Sequence, residues 1–229
     1  MKFFKNYGLH IYWAILLLDC LVLNYGLSEY HIYLKLLLMP TLALYFFAQT
    51  KRSKHYSKKL FVYISLLAAF IGDYLLLNNG NGFFIMGMIS FLVAYGIYGF
   101  TFNEMQPINF KDGQEALFTF LGMLVVCFVL IKILKLGDLG QLKNYIIVYM
   151  LVLSAVTSLA VNVVRNKRLK NIAVTKIIPG MLMICTSDAI LSVHKFYLTD
   201  IDFLPVVVML SYGFGQTLII EALSKYLKS

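Results

Sequence analysis

Eight runs of about 18 to 22 mostly apolar residues follow one another along the chain, at 9–27, 33–50, 60–77, 83–101, 115–135, 144–164, 172–193 and 203–224. Crossing the hydrocarbon core of a bilayer takes roughly 20 such residues as an α-helix. In lipid, backbone N–H and C=O groups have no water to turn to, so each span satisfies them internally. The architecture this predicts is all-α: a polytopic membrane protein folded as an eight-helix transmembrane bundle. The breaks read NYGLSEYH, KRSKHYSKK, NNGNG, NEMQPINFKDG, LGDLGQ, RNKRLKN and LTDID. Most allow only a tight turn between antiparallel neighbours, so residues 1–229 are expected to form one up-and-down domain.

Composition agrees. Sixty per cent of the residues are apolar and 14% charged, with a mean hydropathy of +0.78, against about 45–50% and 25% in soluble domains. The formal charge of +9 raises the question of nucleic acid. However, the basic residues crowd into the N-terminus, the loops 51–59, 102–113 and 165–170, and the C-terminus. Little faces them beyond Lys135, Lys143 and Lys195. That asymmetry is a topology signal, and it predicts both termini in the cytoplasm of a bacterial inner membrane, with no nucleic-acid partner. The first run follows MKFFKNYG, which is like a signal-peptide start, but continues through Asp19 with no A-x-A site, so it is expected to stay as a span. Cys20, Cys127 and Cys185 have no metal-ligand spacing or evident disulfide partner and are assigned to packing.

Two aspartates then stand out. Asp73 lies in IGDYLLL of the third run and Asp188 in TSDAILS of the seventh. Both runs start on the basic side, which puts each carboxyl about 8–10 Å below the opposite boundary. They are 115 residues apart in a chain of 229, each in the third of four spans, which suggests a 4+4 parallel repeat with the acids facing one another. Ser65 and Ala69 precede Asp73 at helical spacing, and Gly180 and Ile184 precede Asp188; such small-residue faces turn toward other helices. An ionised Asp at mid-span costs about 2.5–3.5 kcal/mol on insertion scales, so intramembrane acids are functional candidates. The plainer alternative is a structural hydrogen bond to Tyr or Ser, and Asp19, alone in the first run, takes that reading; Glu221 is near enough to the boundary to snorkel. Two carboxyls in one low-dielectric site do not both ionise easily. One keeps a proton while the other carries charge, which makes an acid/base pair.

The motifs GDYLLL, F-x2-M-G-x3-F-x3-Y-x2-Y (Phe83, Gly87, Phe91, Tyr95, Tyr98), SDAILSVHKF and SYGFGQTLI occur in that order. In order and spacing the chain resembles the lysoplasmalogenase (YhhN-like) family from its second span to its eighth. It departs from that family at Tyr95, where His is frequent, and at Met39-Pro40, where a Lys-Pro pair is frequent. The resemblance implies hydrolysis of the vinyl ether bond of a lysoplasmalogen, a lysophospholipid, to a fatty aldehyde and glycerophosphoethanolamine or glycerophosphocholine. It implies Asp73 and Asp188 as catalytic residues, one protonating the alkenyl β-carbon and the other stabilising the oxocarbenium ion and activating water. No metal or cofactor is expected, and His10, His31, His55 and His194 show no ligand spacing.

The surrounding residues carry weaker signals. Tyr212 and Gln216, one turn apart, are placed to hydrogen-bond a carboxyl, a water or the glycerol, or simply to pack. Tyr95 and Tyr98 are assigned to the substrate site against a strong packing alternative. Lys195, and more weakly Lys35 and Lys143, are candidates for the lipid phosphate, or are snorkelling interface lysines. The main rival is a small proton-coupled transporter, whose acids would move protons; apart from Pro205 at the start of the last run, Pro40 and Pro179 are the only prolines inside the spans to break a helix. An intramembrane aspartyl protease fits poorly, because residue 70 is Phe where G-x-G-D needs Gly. A non-enzymatic lipid-binding protein is the remaining alternative.

Overall fold

The computed structural model describes residues 2–109, 113–134, 139–140 and 142–228. Its long helices are α1 (Lys2–Asn24), α2 (Ser28–Thr50), α3 (Tyr56–Leu76), α4 (Asn81–Met105), α5 (Gln114–Ile133), α6 (Leu142–Asn162), α7 (Lys170–Phe196) and α8 (Leu204–Tyr226). All eight are long and apolar enough to cross a membrane. The chain is an all-α integral membrane protein with the eight spans that its apolar runs predict. Lys111 and Lys135, which entered the charge count above, lie outside the described residues.

The helices close a ring. α2, α3, α4, α6, α7 and α8 each pack on the next, and α8 returns to α2. α1 fills the outside of the α2–α8 seam, and α5 packs against α6 at the periphery. Only 11% of α5's most apolar window is buried inside the protein, against 67% for α8. The neighbours α1·α2, α2·α3, α3·α4 and α2·α8 correspond to α5·α6, α6·α7, α7·α8 and α4·α6, as a 4+4 repeat requires; α1·α8 has no close counterpart. The twofold itself stays a proposal.

Small residues set the tightest crossings. A Cβ on Gly215 of α8 would fall 2.9 Å from the Gly180 carbonyl of α7, and one on Gly180 would fall 3.1 Å from the Gly215 carbonyl. α7 also contains one π-helical turn, Ala173–Ile177. Pro179 follows two residues after it, and a proline ring crowds the carbonyl four residues back in a regular helix. Widening the turn there is the usual relief.

Both termini lie at one end. Gln49, near the end of α2, bonds the Lys5 carbonyl through Nε2 and receives Lys228 Nζ on Oε1. Lys58 reaches Glu104 at 3.6 Å and donates to Tyr226 Oη at 2.9 Å at that same end. The two aspartates of interest sit near the other.

Candidate active site

Asp73 is buried on α3 and accepts a 3.0 Å hydrogen bond on Oδ2 from the Tyr212 hydroxyl of α8. Its other oxygen faces Lys35 of α2, with Nζ at 3.8 Å. Gly72 beside it lets α4 approach: a Cβ there would lie 2.8 Å from the Phe91 ring. Phe91 in turn meets the Tyr212 ring edge-on at 5.8 Å, which helps hold that hydroxyl against the acid.

Asp188 is half-buried on α7, and its Oδ2 accepts a 2.7 Å hydrogen bond from the Tyr149 hydroxyl of α6. Tyr95 of α4 stands beside both, its ring 6.3 Å from that of Tyr149. The Tyr95 hydroxyl is fully buried and makes no direct hydrogen bond. It is close enough to Asp188 to interact with it electrostatically.

No hydrogen bond joins the two acids. They line one cavity of ≈520 Å³, together with Tyr212, Phe91 and Ser187. Leu23, His31, Leu77, Asn79, His194 and Pro205 also line it, and all lie at helix ends or in the turns between them. The cavity therefore reaches from the carboxyls to the end away from the termini. His31 is itself anchored. Its Nδ1 meets Oδ1 of Asp19, fully buried on α1, at 2.7 Å. Asp19 lies five residues before the end of α1, so it is near the level of the other two acids.

A second, narrow apolar cavity runs between α4, α5, α6 and α7, lined by Met88, Met123, Cys127, Met150 and Leu153 among others. Asp188, Leu76, Phe91 and Leu191 line both cavities. Asp188 thus stands at a junction: a polar vestibule on one side and a hydrocarbon-like slot on the other. A carboxyl in each of two walls, with donors fixed on both, can deliver a proton and hold a cation within one enclosure.

The remaining sequence candidates fall in different places. Tyr98 donates a 2.9 Å hydrogen bond to Gln216 Oε1; both are buried, and neither lines the cavity. Lys195 lies over the Phe84 ring at 4.9 Å and borders a smaller outer groove with His194. Lys143 is exposed at the start of α6. Tyr149 and His31 were missed. Tyr149 follows the start of α6 by seven residues, which puts it about 10 Å deep, level with the acids. That depth was the available signal. Among the described residues, no three His, Cys, Asp or Glu side chains cluster as metal ligands do.

A family model described as "YhhN family" matches residues 30–223. No curated protein matches the chain, and no solved structure does.

Proposed function

The chain belongs to the YhhN family, the family that contains lysoplasmalogenase, and from that premise we propose that it hydrolyses the vinyl ether bond of lysoplasmalogens. The products are a fatty aldehyde and glycerophosphoethanolamine or glycerophosphocholine. The observation that carries this reading is the single cavity lined by both Asp73 and Asp188, with Asp188 also lining an apolar slot beside it.

A lysoplasmalogen has the matching order of parts: phosphate head, glycerol, vinyl ether, hydrocarbon chain. The head lies in the vestibule near His31 and His194, where an anion meets basic side chains. The chain follows the apolar slot, whose Met88, Met123 and Met150 are unbranched and yield readily to a long guest. The vinyl ether then falls between the two carboxyls. One aspartate protonates the carbon–carbon double bond, and the other stabilises the oxocarbenium ion and takes a proton from the attacking water. Tyr212 and Tyr149 keep the carboxyls aimed inward.

The test is aldehyde release by purified protein from ethanolamine and choline lysoplasmalogens, with ester-linked lysolipids as controls. Asp73→Asn and Asp188→Asn are each expected to lower turnover by about 10²–10⁴-fold while the protein still inserts and purifies as the wild type does. No aldehyde from any lysoplasmalogen, with solute uptake driven by a pH gradient instead, would favour a proton-coupled carrier.

A further inference from the structure

The two carboxyls keep different company. Asp73 has a cation, Lys35 Nζ, 3.8 Å from one oxygen and a tyrosine hydroxyl on the other. Asp188 has no cation paired with it among the described residues: Tyr149 donates to it, and the Tyr95 ring lies against that of Tyr149. Of the cavity's other titratable side chains, His31 is held by Asp19. His194 lies six residues beyond Asp188 on α7, toward the cavity's outer end. A buried carboxylate is strongly disfavoured unless paired, and an ammonium at this range pairs it.

Position separates the acids as well. Asp188 lines both cavities, whereas Asp73 lines only the vestibule. In a bound vinyl ether the carbon that takes the proton is the one nearer the chain, and the carbon that takes water is bonded to the glycerol oxygen. Charge and position therefore point the same way.

We propose that Asp188 is the general acid, that Asp73 is the anion that steadies the cation and activates water, and that Lys35 fixes this division by pairing with Asp73. This deepens the vinyl ether reading above and rests on it. Asp188 gives its proton to the chain-side carbon, whose new C–H bond uses the π electrons and leaves an oxocarbenium ion. A water adds through an oxygen lone pair to the carbon bonded to oxygen, and its proton passes to Asp73. The hemiacetal then collapses: its hydroxyl proton goes to Asp188, the carbonyl forms, and the glycerol oxygen leaves with the bond pair and takes the proton from Asp73. One water is consumed and both acids return to their starting states.

The test uses binding as well as turnover. The probe is a lysophosphoethanolamine analogue with a protonated secondary amine in place of the ether oxygen, compared with the uncharged saturated ether in the full-length protein in nanodiscs. Wild type is expected to prefer the amine. Asp73→Asn should cost the amine about 10–100-fold in affinity and leave the ether's affinity unchanged; that unchanged affinity shows the site is still folded. Asp188→Asn should keep the preference. Loss of the preference in Asp188→Asn alone, equal loss in both variants, or a wild type that releases aldehyde yet does not prefer the amine would each overturn the assignment. Lys35→Met should lower kcat by about 10²-fold with little change in KM, and Lys35→Arg should recover most of it. A rise in KM at constant kcat would instead make Lys35 a head-group contact. A wild type that neither releases aldehyde nor binds the ether sinks the parent reading, a result distinct from failure of the assignment.

Discussion

At the scale of single residues, the protein's stability and its site meet at Asp19 and His31. Asp19 is fully buried, and its second oxygen has no hydrogen-bond partner, so His31 is the chief compensation for a carboxyl inside the bundle. Removing one member of a buried pair costs about 3–5 kcal/mol, because the other is stranded. His31→Leu is accordingly expected to lower stability by that order in denaturant unfolding in detergent, and adding Asp19→Asn should restore much of it. If the single variant is as stable as wild type, the pair contributes little. How much of the site was legible follows from the same kind of accounting. Asp73 and Asp188 stood out because charge inside an apolar run is rare. Tyr149 did not, because this chain has 16 tyrosines and only its depth singles it out. Lys195 and Lys35 looked alike as boundary lysines, but tertiary packing sends one over an aromatic ring and the other to a carboxyl. Lys35 also bears on the departure at Met39: one turn earlier on α2, it brings an ammonium to Asp73, while the Met39 sulfur lies 3.8 Å from the Tyr212 hydroxyl.

Among the elements, α7 and α8 cross where two glycines bring backbone against backbone. A methyl on Gly215 meets the Gly180 carbonyl and the Ile184 side chain at 2.7–2.9 Å, and the carbonyl cannot rotate away. Gly215→Ala is therefore expected to destabilise by about 1–3 kcal/mol. Gly96→Ala on α4 has nothing within 4 Å of the added methyl and should be neutral or stabilising by up to about 1 kcal/mol. Thermal unfolding of the two purified variants gives the comparison, and equal midpoints would mean that α7 and α8 have slack. Spans were easy to read from hydropathy, since length and apolarity are set by the bilayer. Helix ends were harder. α4 runs to Met105, past the 83–101 expected, because the polar Asn103 and Glu104 continue the helix beyond the apolar run. The π turn before Pro179 was not foreseen, because proline announces a break in a helix without saying how the backbone will repair it.

For the whole molecule, the ring of six helices with α1 and α5 outside it was not readable, because every span is apolar and pattern alone does not rank partners. The up-and-down order was readable from the short breaks, and it brings both termini to the end where Lys5, Gln49 and Lys228 meet. We propose that this end is cytoplasmic, as the clustering of basic residues requires. A fluorescent protein fused after Ser229 should then fluoresce, and alkaline phosphatase inserted at Asn79 between α3 and α4 should be active. The opposite pair of results would invert the topology and move the vestibule to the cytoplasmic face. Either outcome leaves the bundle's internal geometry unchanged.

The junction at Asp188 has a consequence for turnover. Because that side chain borders both a vestibule at the helix ends and a methionine-lined slot, the proposed reaction severs its substrate where two solvents meet. The glycerol fragment is left on the side of water, and the aldehyde on the side of oil. Each product is already facing the phase in which it dissolves, so neither has to pass the other to depart.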